Sequence, residues 1–469
     1  MRLISNITII IIAFLLLLVS PSAVIGQGND ELPVYIVQPG ENLTQIAGKF
    51  NISVNDLIRV NGFLDPNLIS AGTELVLPGF EGVSGKLTAR PVEFGETLTI
   101  ILRETQLSRT NFLRMNNITS PAEMYIGSNV ILPILEDNFV NNSRLSRQND
   151  SNLSLSIKNE LNPWILSFIN EISPVEILPD EVLFFPSEKF EESSSLISDR
   201  IAGIEITPLP VAQGRTCIIR TYAKLAVELG GAINDKPLTF YYSESDGYYY
   251  AIHGFHALAE PGLARLKLTG AFEDGQTFMG EQMLLLVSGN YLQEELSVED
   301  TTIQQDIIQA ENQEVQQILQ GSAPDKYWQS PFRFPVDGSL EDNTIAFSSI
   351  FGSRRSYNRG QYEGYHGGLD FSVVIMSLNV YAPGAGRVLY TGEMPIRGKT
   401  IFIDHGQGIV SGYAHLNNFY VSADELVEPG QLIGEIGKTG RVTGTHLHWD
   451  IFVNGTPVEP LDWIRNTYP

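Results

Sequence analysis

The stretch GTHLHWD places His446, His448 and Asp450 at alternate positions near the carboxyl end of the chain. Flanking glycines and a closing Asn454-Gly455 pair predict a short strand that ends in a hairpin. Alternate residues of a strand point to the same face, so these three side chains should lie together. The stretch therefore offers imidazole nitrogens and a carboxylate to one site.

A second pair of polar side chains lies upstream in YHGGLDFSV, where His366 and Asp370 are four residues apart. The two glycines between them disfavour a helix, and an extended segment also brings both side chains to one side. The last 104 residues hold five of the seven histidines, including His405 and His415. Two nitrogens and one carboxylate oxygen, with a fourth position left to water, are what a catalytic zinc ion requires. Each short motif alone is a weak signal, and the combination is more specific.

The composition argues against some classes of partner. The 30 basic and 54 acidic residues give a formal net charge of −24, which disfavours nucleic acid and an anionic membrane surface. A length of 469 residues predicts several domains. The single cysteine, Cys217, cannot form an intrachain disulfide and is expected to be an ordinary buried thiol.

The first 26 residues have the pattern of a secretory signal peptide. They carry Arg2, then an apolar run over residues 7–19, then small and helix-breaking residues. An apolar run of about 13 residues is short for a bilayer span, which takes about 20. We therefore expect an exported chain without a further membrane segment, and an uncleaved membrane anchor is the alternative. An exported chain without disulfides fits a bacterial envelope.

The amino-terminal part contains an internal repeat. Residues 34–79 line up with residues 88–135 at a constant offset of 55, as in VQPGENLTQIAGKF and VEFGETLTIILRET. Short strands enclose two segments with apolar residues at spacings of three and four, so each copy should run strand, helix, helix, strand. A degenerate third copy could span residues 154–186, because INEISPVEILPDEVLFFP repeats the asparagine, the turn and the apolar ending in proline.

The first copy, with YIVQPGENLTQIAGKFNISVNDLIRVNG and AGTELVLPG, closely resembles the LysM domain, and the second resembles it less closely. That family binds glycans that contain N-acetylglucosamine, such as peptidoglycan or chitin. The resemblance implies tandem small α+β modules, with a glycan groove between the loops at residues 40–44 and 62–69. The residues expected to contact the glycan are Gly40, Asn42, Thr44, Leu64 and Ile69. The alternative for the second and third copies is a repeat that no longer binds sugar.

The central segment changes to short β-rich runs. Between residues 204 and 291, runs such as TCIIRTYAKL and YYYAIHGF alternate with Gly, Asp and Pro turns. This pattern predicts an all-β sandwich, with an immunoglobulin-like fold as one candidate. His253 and His256 have no cysteine or carboxylate cluster beside them, so we expect them to pack or to form a turn.

Polar segments are expected to connect these units. Residues 136–150 and 189–200 are polar and are interpreted as linkers on either side of the third copy. Residues 297–320 have the pattern of one polar helix with Ser297 as a possible cap. This helix would connect the sandwich to the last domain.

The order and spacing of motifs in the last region closely resemble the lysostaphin and LytM-type zinc endopeptidases of bacterial cell walls. The resemblance covers roughly residues 328–465 and rests on HGGLDFSV, VYAPGAGRVLYTG, IFIDHGQGIVSGYAHL and GKTGRVTGTHLHWDIFVNG. It implies a C-terminal all-β antiparallel-sheet peptidase domain over residues 328–469. It also implies that one zinc ion, Zn2+, is held by His366, Asp370 and His448, and that the catalytic pair is His415 and His446.

The implied roles agree with general chemistry. A zinc ion polarises a carbonyl and lowers the pKa of its water to about 7. One imidazole can take a proton from that water, and a second can stabilise the oxyanion by about 3 kcal/mol. Either His415 or His446 fits either task. Asp450 could orient a histidine or be a plain surface carboxylate, and His405 matches no ligand of the family and is interpreted as structural.

Together these features predict a secreted, wall-associated zinc endopeptidase that cuts stem or cross-bridge peptides of peptidoglycan, anchored by its LysM modules. One alternative is a non-catalytic LytM-type activator of other wall hydrolases, or a glycan-binding scaffold. All five family positions are present, which favours the enzyme. A carrier barrel of the biotinyl or lipoyl type fits VEPGQLIGEIG and Lys438, but the export signal and the histidine set argue against it.

Overall fold

The computed structural model describes residues 32–63, 69–80, 83–134, 142–173, 177–185, 197–298, 304–329, 331–360, 362–372 and 377–469. The predicted signal peptide, residues 1–26, lies outside these ranges. Within them, every helix is too short or too polar to cross a membrane. The described chain consists of α+β units, a β-sandwich and a second all-β domain, as the sequence predicts.

The first two repeats each run strand, helix, helix, strand, which confirms the predicted order. The first contains β1 (Val34–Ile36), α1 (Leu43–Phe50), α2 (Val54–Asn61) and β2 (Glu74–Val76). The second contains β3 (Lys86–Pro91), α3 (Leu98–Thr105), α4 (Arg109–Asn116), a 3-10 turn (Pro121–Glu123) and β4 (Asn129–Pro133). Because β1 pairs in parallel with β3, the two modules share one sheet in the order β2-β1-β3-β4.

An asparagine at the end of the second helix ties each repeat together. The Asn61 carboxamide donates to the carbonyl of Val76 at 3.0 Å and accepts from its N–H at 2.7 Å. The same two contacts recur between Asn116 and Ile131 and between Asn170 and Phe184. This amide, buried at Asn170 and half-buried at Asn61 and Asn116, satisfies a strand and a helix end at once, which explains why the repeats share this residue.

The third unit begins earlier than the sequence suggested. It contains β5 (Asn142–Leu145), α5 (Asn152–Lys158), α6 (Pro163–Asn170) and β6 (Val182–Phe185), and β5 pairs with β6. The interpretation of residues 136–150 as a linker is therefore wrong for its second half, and a start at residue 154 misses the first strand. The polar composition hid this strand because Arg144 is buried and forms an ion pair with Asp150.

The central domain is a sandwich of two sheets. Its strands are β7 (Ile201–Thr207), β8 (Val211–Ala212), β9 (Thr216–Ala223), β10 (Val227–Ile233), β11 (Lys236–Pro237), β12 (Tyr241–Ser243), β13 (Tyr248–Gly254), β14 (Gly262–Phe272) and β15 (Thr277–Val287). The sheet orders are β12-β13-β9-β7 and β11-β10-β14-β15-β8. The strands longer than two residues can be lettered A to G in chain order, from β7 to β15 without β8 and β11. The first sheet then contains strands A, B, E and D and the second contains C, F and G, which is the arrangement of an immunoglobulin fold.

The connector between the two all-β domains differs from the expected single helix. It contains β16 (Gln293–Leu296) and the helix α7 (Gln305–Leu319). The helix begins after Gln304, so Ser297 does not cap it. The reason is that β16 forms a parallel pair with a strand of the last domain, which holds this part of the chain extended.

In the part of it that the structure describes, the last domain is built from antiparallel strands and one short helix. The elements are β17 (Phe347–Ser349), β18 (Arg354–Tyr357), β19 (Tyr362–Tyr365), β20 (Leu369–Ser372), β21 (Asn379–Tyr381), β22 (Gly386–Met394), β23 (Gly398–Gly406), β24 (Ile409–Phe419), β25 (Leu426–Val427), β26 (Leu432–Ile436), β27 (His446–Val453), β28 (Thr456–Val458) and α8 (Pro460–Arg465). The main path runs β17-β20-β27-β24-β23-β22-β25. The antiparallel prediction is confirmed.

Candidate metal centre and catalytic cleft

Strand pairing brings the two predicted motifs together. Strand β27 begins at His446 and ends in a turn at Asn454-Gly455, as predicted, and it pairs with β20 so that Asp370 lies opposite His448. Cross-strand neighbours of this kind have side chains in direct reach. The turn before β20 needs glycine, because a Cβ on Gly368 would lie 2.4 Å from the carbonyl oxygen of Trp449.

Three atoms of the predicted ligands face one another. His366 Nε2 lies 2.9 Å from Asp370 Oδ1 and 2.9 Å from His448 Nδ1. His448 Nδ1 lies 2.7 Å from Asp370 Oδ1. Among the described residues, these three form the group of His, Cys, Asp and Glu side chains that could hold a metal ion.

The outward atom of each side chain has its own hydrogen-bond partner. His366 Nδ1 donates to the carbonyl of Ile350 at 2.9 Å, and His448 Nε2 donates to Asp450 Oδ1 at 2.8 Å. Asp370 Oδ2 accepts from Arg355 at 3.2 Å. Such partners hold a ligand in one orientation and select the histidine tautomer.

Burial and charge act against each other on the pKa of these groups. Burial lowers the pKa of His366 below its ordinary value. Burial alone would raise the pKa of Asp370, but the charge of His366 and the hydrogen bonds from His366 and His448 hold it well below its usual range. Burial alone would lower the pKa of His448, but the charge of Asp450 and hydrogen bonds to both aspartates raise it to about 9. The carboxylate of Asp370 therefore stays ionised, as a metal ligand must.

The donor set fits a divalent cation. When both rings are neutral, their protons lie on the outward nitrogens, so the inward nitrogens of His366 and His448 carry lone pairs. Two lone pairs and an ionised oxygen of Asp370 at 2.7 to 2.9 Å repel one another unless a positive charge lies among them. The raised pKa of His448 expresses the same demand, because a proton on that ring supplies the charge that a bound cation would replace. Two imidazole nitrogens and one carboxylate oxygen are ligands that zinc accepts in catalytic sites.

Asp450 is a buried partner of the centre, and the alternative of a surface carboxylate is wrong. Its side chain is 0% exposed and forms an ion pair with Arg397 on the side away from His448. Burial alone would raise the pKa of Asp450, but the charge of Arg397 outweighs it and holds that pKa well below its usual range. Arg397 thus keeps Asp450 ionised as the acceptor for His448.

His415 and His446 lie side by side next to the cluster. Their ring centroids are 4.9 Å apart, and His415 lies 5.9 Å from the ring of His448. His415 Nδ1 donates to the carbonyl of Thr439 and His446 Nδ1 donates to that of Gly444, each at 2.9 Å. These bonds leave Nε2 of each neutral ring as a proton acceptor.

His415 has an unusual backbone conformation. Its φ is +63°, in the left-handed region that non-glycine residues seldom adopt. The pairing of β23 with β24 shifts register between Lys399 and Ile401, opposite this residue, so His415 lies at a β-bulge. Bulges re-aim a side chain and are frequent beside active sites. Burial, followed by the nearby His448 and His446, lowers the pKa of His415 well below its ordinary value.

The cluster opens into a cleft of about 930 Å³. Besides the five predicted residues, its wall includes His256 of the sandwich, Glu294 of β16, Glu311 of α7, and Arg355, Arg397 and Arg441 of the last domain. Three units of the chain therefore contribute to one cleft.

The other histidines have local partners. His405 is 0% exposed; its Nδ1 donates to the carbonyl of Ala385 and its Nε2 accepts from Ser411, in line with a structural role. Burial lowers its pKa to about 4. His253 is buried beside Phe255, and His256 accepts from the N–H of Leu258, so both pack or form a turn. His256 Nε2 also lies 2.9 Å from the hydroxyl of Tyr365 at the cleft.

Four of the five predicted glycan-contact residues are described. Gly40 and Thr44 are exposed, and Gly40 has a φ of +84° in the turn before α1. Asn42 is exposed and caps α1 by accepting from the N–H of Gln45, so part of its polar capacity serves the helix. Ile69 is half-buried against the module core, and the remaining residue, Leu64, lies outside the described ranges.

Arg355, Arg397 and Glu311 were not anticipated as site residues. Arg355 and Arg397 fall in SRRSYNRGQYEGY and GEMPIRGK, outside the four motifs on which the resemblance rests. Glu311 falls in a helix with a polar composition that suggested only a connector. The sequence does contain one indication that Glu311 is buried. With helical spacing, Ile308, Glu311 and Val315 lie on the same apolar face of the helix, where a charged residue is unusual.

Comparisons with known proteins agree with both resemblances. The family model for peptidase family M23 matches residues 364–460, and the family model for the LysM domain matches residues 35–78 and 92–133. The chain therefore carries two LysM domains followed by an M23 peptidase domain. This confirms the LytM-type and LysM assignments made from the sequence.

Individual relatives match only part of the chain. Peptidoglycan DD-endopeptidase ShyA of Vibrio cholerae is 37% identical over 129 residues, which are 28% of this chain and 29% of the relative. DD-carboxypeptidase/endopeptidase Mpg of Neisseria meningitidis is 36% identical over 96 residues, 20% of this chain and 22% of the relative. The matched segment thus spans less than a third of the length of these relatives. Among solved structures, a putative M23 peptidase from Pseudomonas aeruginosa is 27% identical, with a TM-score of 0.39, and the match covers 54% of this chain and 94% of that one.

Proposed function

We propose that the protein is a secreted, wall-associated zinc endopeptidase that hydrolyses peptide bonds in the stem or cross-bridge peptides of peptidoglycan. The observation that carries the proposal is the triangle formed by His366, Asp370 and His448, with His415 and His446 beside it in a cleft. The M23 and LysM domains support it. The names of the relatives favour DD-endopeptidase activity over cleavage of glycyl bridges.

The three residues of the triangle would hold one zinc ion. When bound, zinc supplies Lewis acidity for the scissile carbonyl and for the attacking water. Asp450, backed by Arg397, keeps the ring of His448 in the tautomer that presents Nδ1 to the site. Arg355 orients the carboxylate of Asp370 in the same way.

His415 and His446 divide the proton transfer and the stabilisation of charge. One ring takes the proton of the attacking water at Nε2 and gives it to the leaving amine. The other ring, as an Nε2–H donor, stabilises the negative charge that develops on the carbonyl oxygen. The carbonyls of Thr439 and Gly444 accept from Nδ1–H of the two rings, so a neutral ring presents Nε2 as a proton acceptor. The ring that stabilises the oxyanion must therefore carry a second proton, on Nε2.

The LysM domains would anchor the peptidase to its insoluble substrate. A weak glycan contact raises the local concentration of the catalytic domain at the wall without a new contact in the cleft. The signal peptide predicted in residues 1–26 would bring the chain there. The partner of the folded protein is then peptidoglycan, through both its glycan and its peptides.

The direct test is digestion of intact sacculi by the purified protein. New amino termini should appear in the presence of zinc, vanish with a chelator and return when zinc is restored. The mass of the released fragments identifies the bond. A protein that binds zinc and glycan but never releases new termini would instead be the non-catalytic activator.

Two variants separate the proposed roles. His448→Ala should lose zinc and activity, because it removes a ligand. His415→Ala should lose about 10²-fold or more of its activity while zinc stays bound, because general acid-base catalysis contributes that much. Zinc content is measured by metal analysis of the dialysed proteins, and loss of zinc from the His415 variant would refute the assignment.

A further inference from the structure

The sandwich inserts a side chain between two loops of the second LysM domain. Gln282 of β15 accepts from the N–H of Gly95 at 2.8 Å through its Oε1. Its Nε2 donates to the carbonyl of Glu96 at 3.0 Å and to that of Met124 at 3.4 Å. One carboxamide therefore bridges the loop before α3 and the loop before β4.

These loop positions are the counterparts of predicted glycan contacts in the first module. With the repeat offset of 55, Gly95 corresponds to Gly40 and Met124 corresponds to Ile69. The sequence resemblance had placed a glycan groove between these two loops. Gln282 therefore occupies, in the second module, the groove that should bind sugar in the first.

The chemistry of the inserted group matches that of the expected ligand. N-acetylglucosamine carries an acetamido group, and its carbonyl and N–H offer the same acceptor and donor as the carboxamide of Gln282. The loop atoms that Gln282 contacts are one backbone N–H and two backbone carbonyls. A side chain that satisfies all three leaves no free partner for a sugar amide at that point.

Neighbouring contacts keep the second module docked on the sandwich. Ile126 forms a parallel bridge to Leu284, with hydrogen bonds of 2.8 Å on both sides, and its side chain is 0% exposed in the sandwich core. Phe94 is buried in the same core, and its ring packs so closely on Gly280 that a Cβ at that position would lie 2.9 Å from it. Asp180 of the third unit lines the cavity beside Gln282 as well.

The first module has neither anchor. The counterparts of Phe94 and Ile126 are Pro39 and Ala71, and both are exposed. Gly40 is also exposed, whereas Gly95 is half-buried. Among the described residues, the positions that dock the second module are therefore exposed in the first, although the two modules share a sheet.

We propose that the groove of the second LysM domain is an internal docking site, in which Gln282 takes the place of a sugar acetamido group, and that glycan binding is left to the first module. The proposal rests on the glycan-binding role proposed above. The two LysM domains then have different tasks. The first contacts the wall, and the second attaches the first to the sandwich and, through the sandwich, to the peptidase domain.

Hydrogen exchange of the full protein, followed by mass spectrometry with and without tetra-N-acetylglucosamine, tests this division. In the unmodified protein, the saccharide should slow exchange at residues 38–46 and 69–73 and leave residues 93–99 and 122–127 unchanged. In Gln282→Ala, residues 93–99 should exchange about five- to tenfold faster without saccharide, because the N–H of Gly95 loses its acceptor. The saccharide should then slow exchange at residues 93–99 and 122–127, because the groove between them is open.

Two further variants sharpen the test. Gln282→Glu keeps the side-chain length and the acceptor for Gly95 but sets a carboxylate against the carbonyls of Glu96 and Met124. Their repulsion should displace the side chain from the groove, so this variant should behave like Gln282→Ala. Gln276→Glu changes an exposed glutamine just before the same strand and should have no effect.

Equal protection of both modules in the unmodified protein, or unchanged exchange in both Gln282 variants, would overturn the docking proposal. Protection of neither module in any protein would contradict the glycan-binding role itself. Exchange at residues 93–99 without saccharide still tests the contact of Gln282 in that case, so the two failures are distinguishable.

Discussion

At the scale of single residues, the candidate site depends on what lies behind each ligand. His448 presents Nδ1 to the metal position because Asp450 accepts from its Nε2, and Asp450 in turn is paired with Arg397. Both members of that ion pair are largely withdrawn from solvent, with side-chain exposures of 20% and 0%. A carboxylate in such a position increases the basicity of the ligand and fixes its ring.

Replacing Asp450 by Asn should weaken the metal site more than it changes the shape of the cleft. We expect zinc affinity to fall about 10- to 100-fold, because the ring of His448 loses its charged partner. Competition with a chromophoric chelator measures this, with circular dichroism to verify folding. Asp424→Asn is the control, since the Asp424 side chain is 84% exposed in the same domain. Equal zinc affinity in the Asp450 variant and the control would show that the orientation of His448 does not depend on this carboxylate.

At the scale of elements, the connector helix α7 is part of the active-site support. The Glu311 carboxylate accepts from the N–H of Ile396 at 2.5 Å and from that of Arg397 at 3.1 Å. Val315 and Leu319 of the same helix pack on the apolar side of the peptidase sheet. The helix therefore holds the segment that carries Arg397, and through it Asp450 and His448.

Replacing Glu311 by Gln should destabilise that segment. Glu311 is buried, and a carboxamide presents only one acceptor to two backbone N–H groups, which costs about 1–3 kcal/mol for the unpaired donor. Urea unfolding should show this loss, and turnover of sacculi should fall as the segment around Arg397 loosens. Glu314→Gln, on the exposed face of the same helix, is the matched control. If both variants match the unmodified protein, the helix is only a connector.

At the scale of the whole molecule, the sandwich and the peptidase domain share a core. Ile218, Tyr250 and Ile252 of the sandwich belong to the same buried cluster as Trp449 and Trp463 of the peptidase domain. Polar contacts reinforce the boundary: the Tyr250 hydroxyl donates to Gln407 at 2.9 Å, and Trp463 Nε1 donates to Thr216 at 3.2 Å. The two domains should therefore unfold as one unit.

Replacing Ile252 by Ala tests this coupling from the sandwich side. The cavity should cost about 2–5 kcal/mol, and the loss should appear in the fluorescence of the peptidase tryptophans although the change is in another domain. Denaturant titration followed by tryptophan fluorescence measures it. Leu263→Ala, at a 43% exposed position of the sandwich, serves as the control. A peptidase transition that stays in place would mean that the domains unfold independently.

The sequence by itself determined the elements and ligands that follow local rules. A period of two residues indicated the strand of His446, His448 and Asp450, and the repeat offset indicated the two LysM domains. The resemblance to LytM-type peptidases named the five residues that the structure brings together. The immunoglobulin-like sandwich was also within reach, since its strands alternate with clear turn signals.

The tertiary structure alone decided which distant side chains meet. The register that sets Asp370 opposite His448, the bulge at His415 and the pairing of Asp450 with Arg397 join segments far apart in the chain. The same holds for Gln282 in the groove of the second LysM domain. From sequence alone, a polar residue is predicted to lie on the surface, because burying it costs free energy unless it has a hydrogen-bond partner. Here the partner comes from a distant segment of the chain, so it is present only in the folded structure. This is why the strand around Arg144 and the buried face of α7 were missed, while the residues expected on the zinc were not.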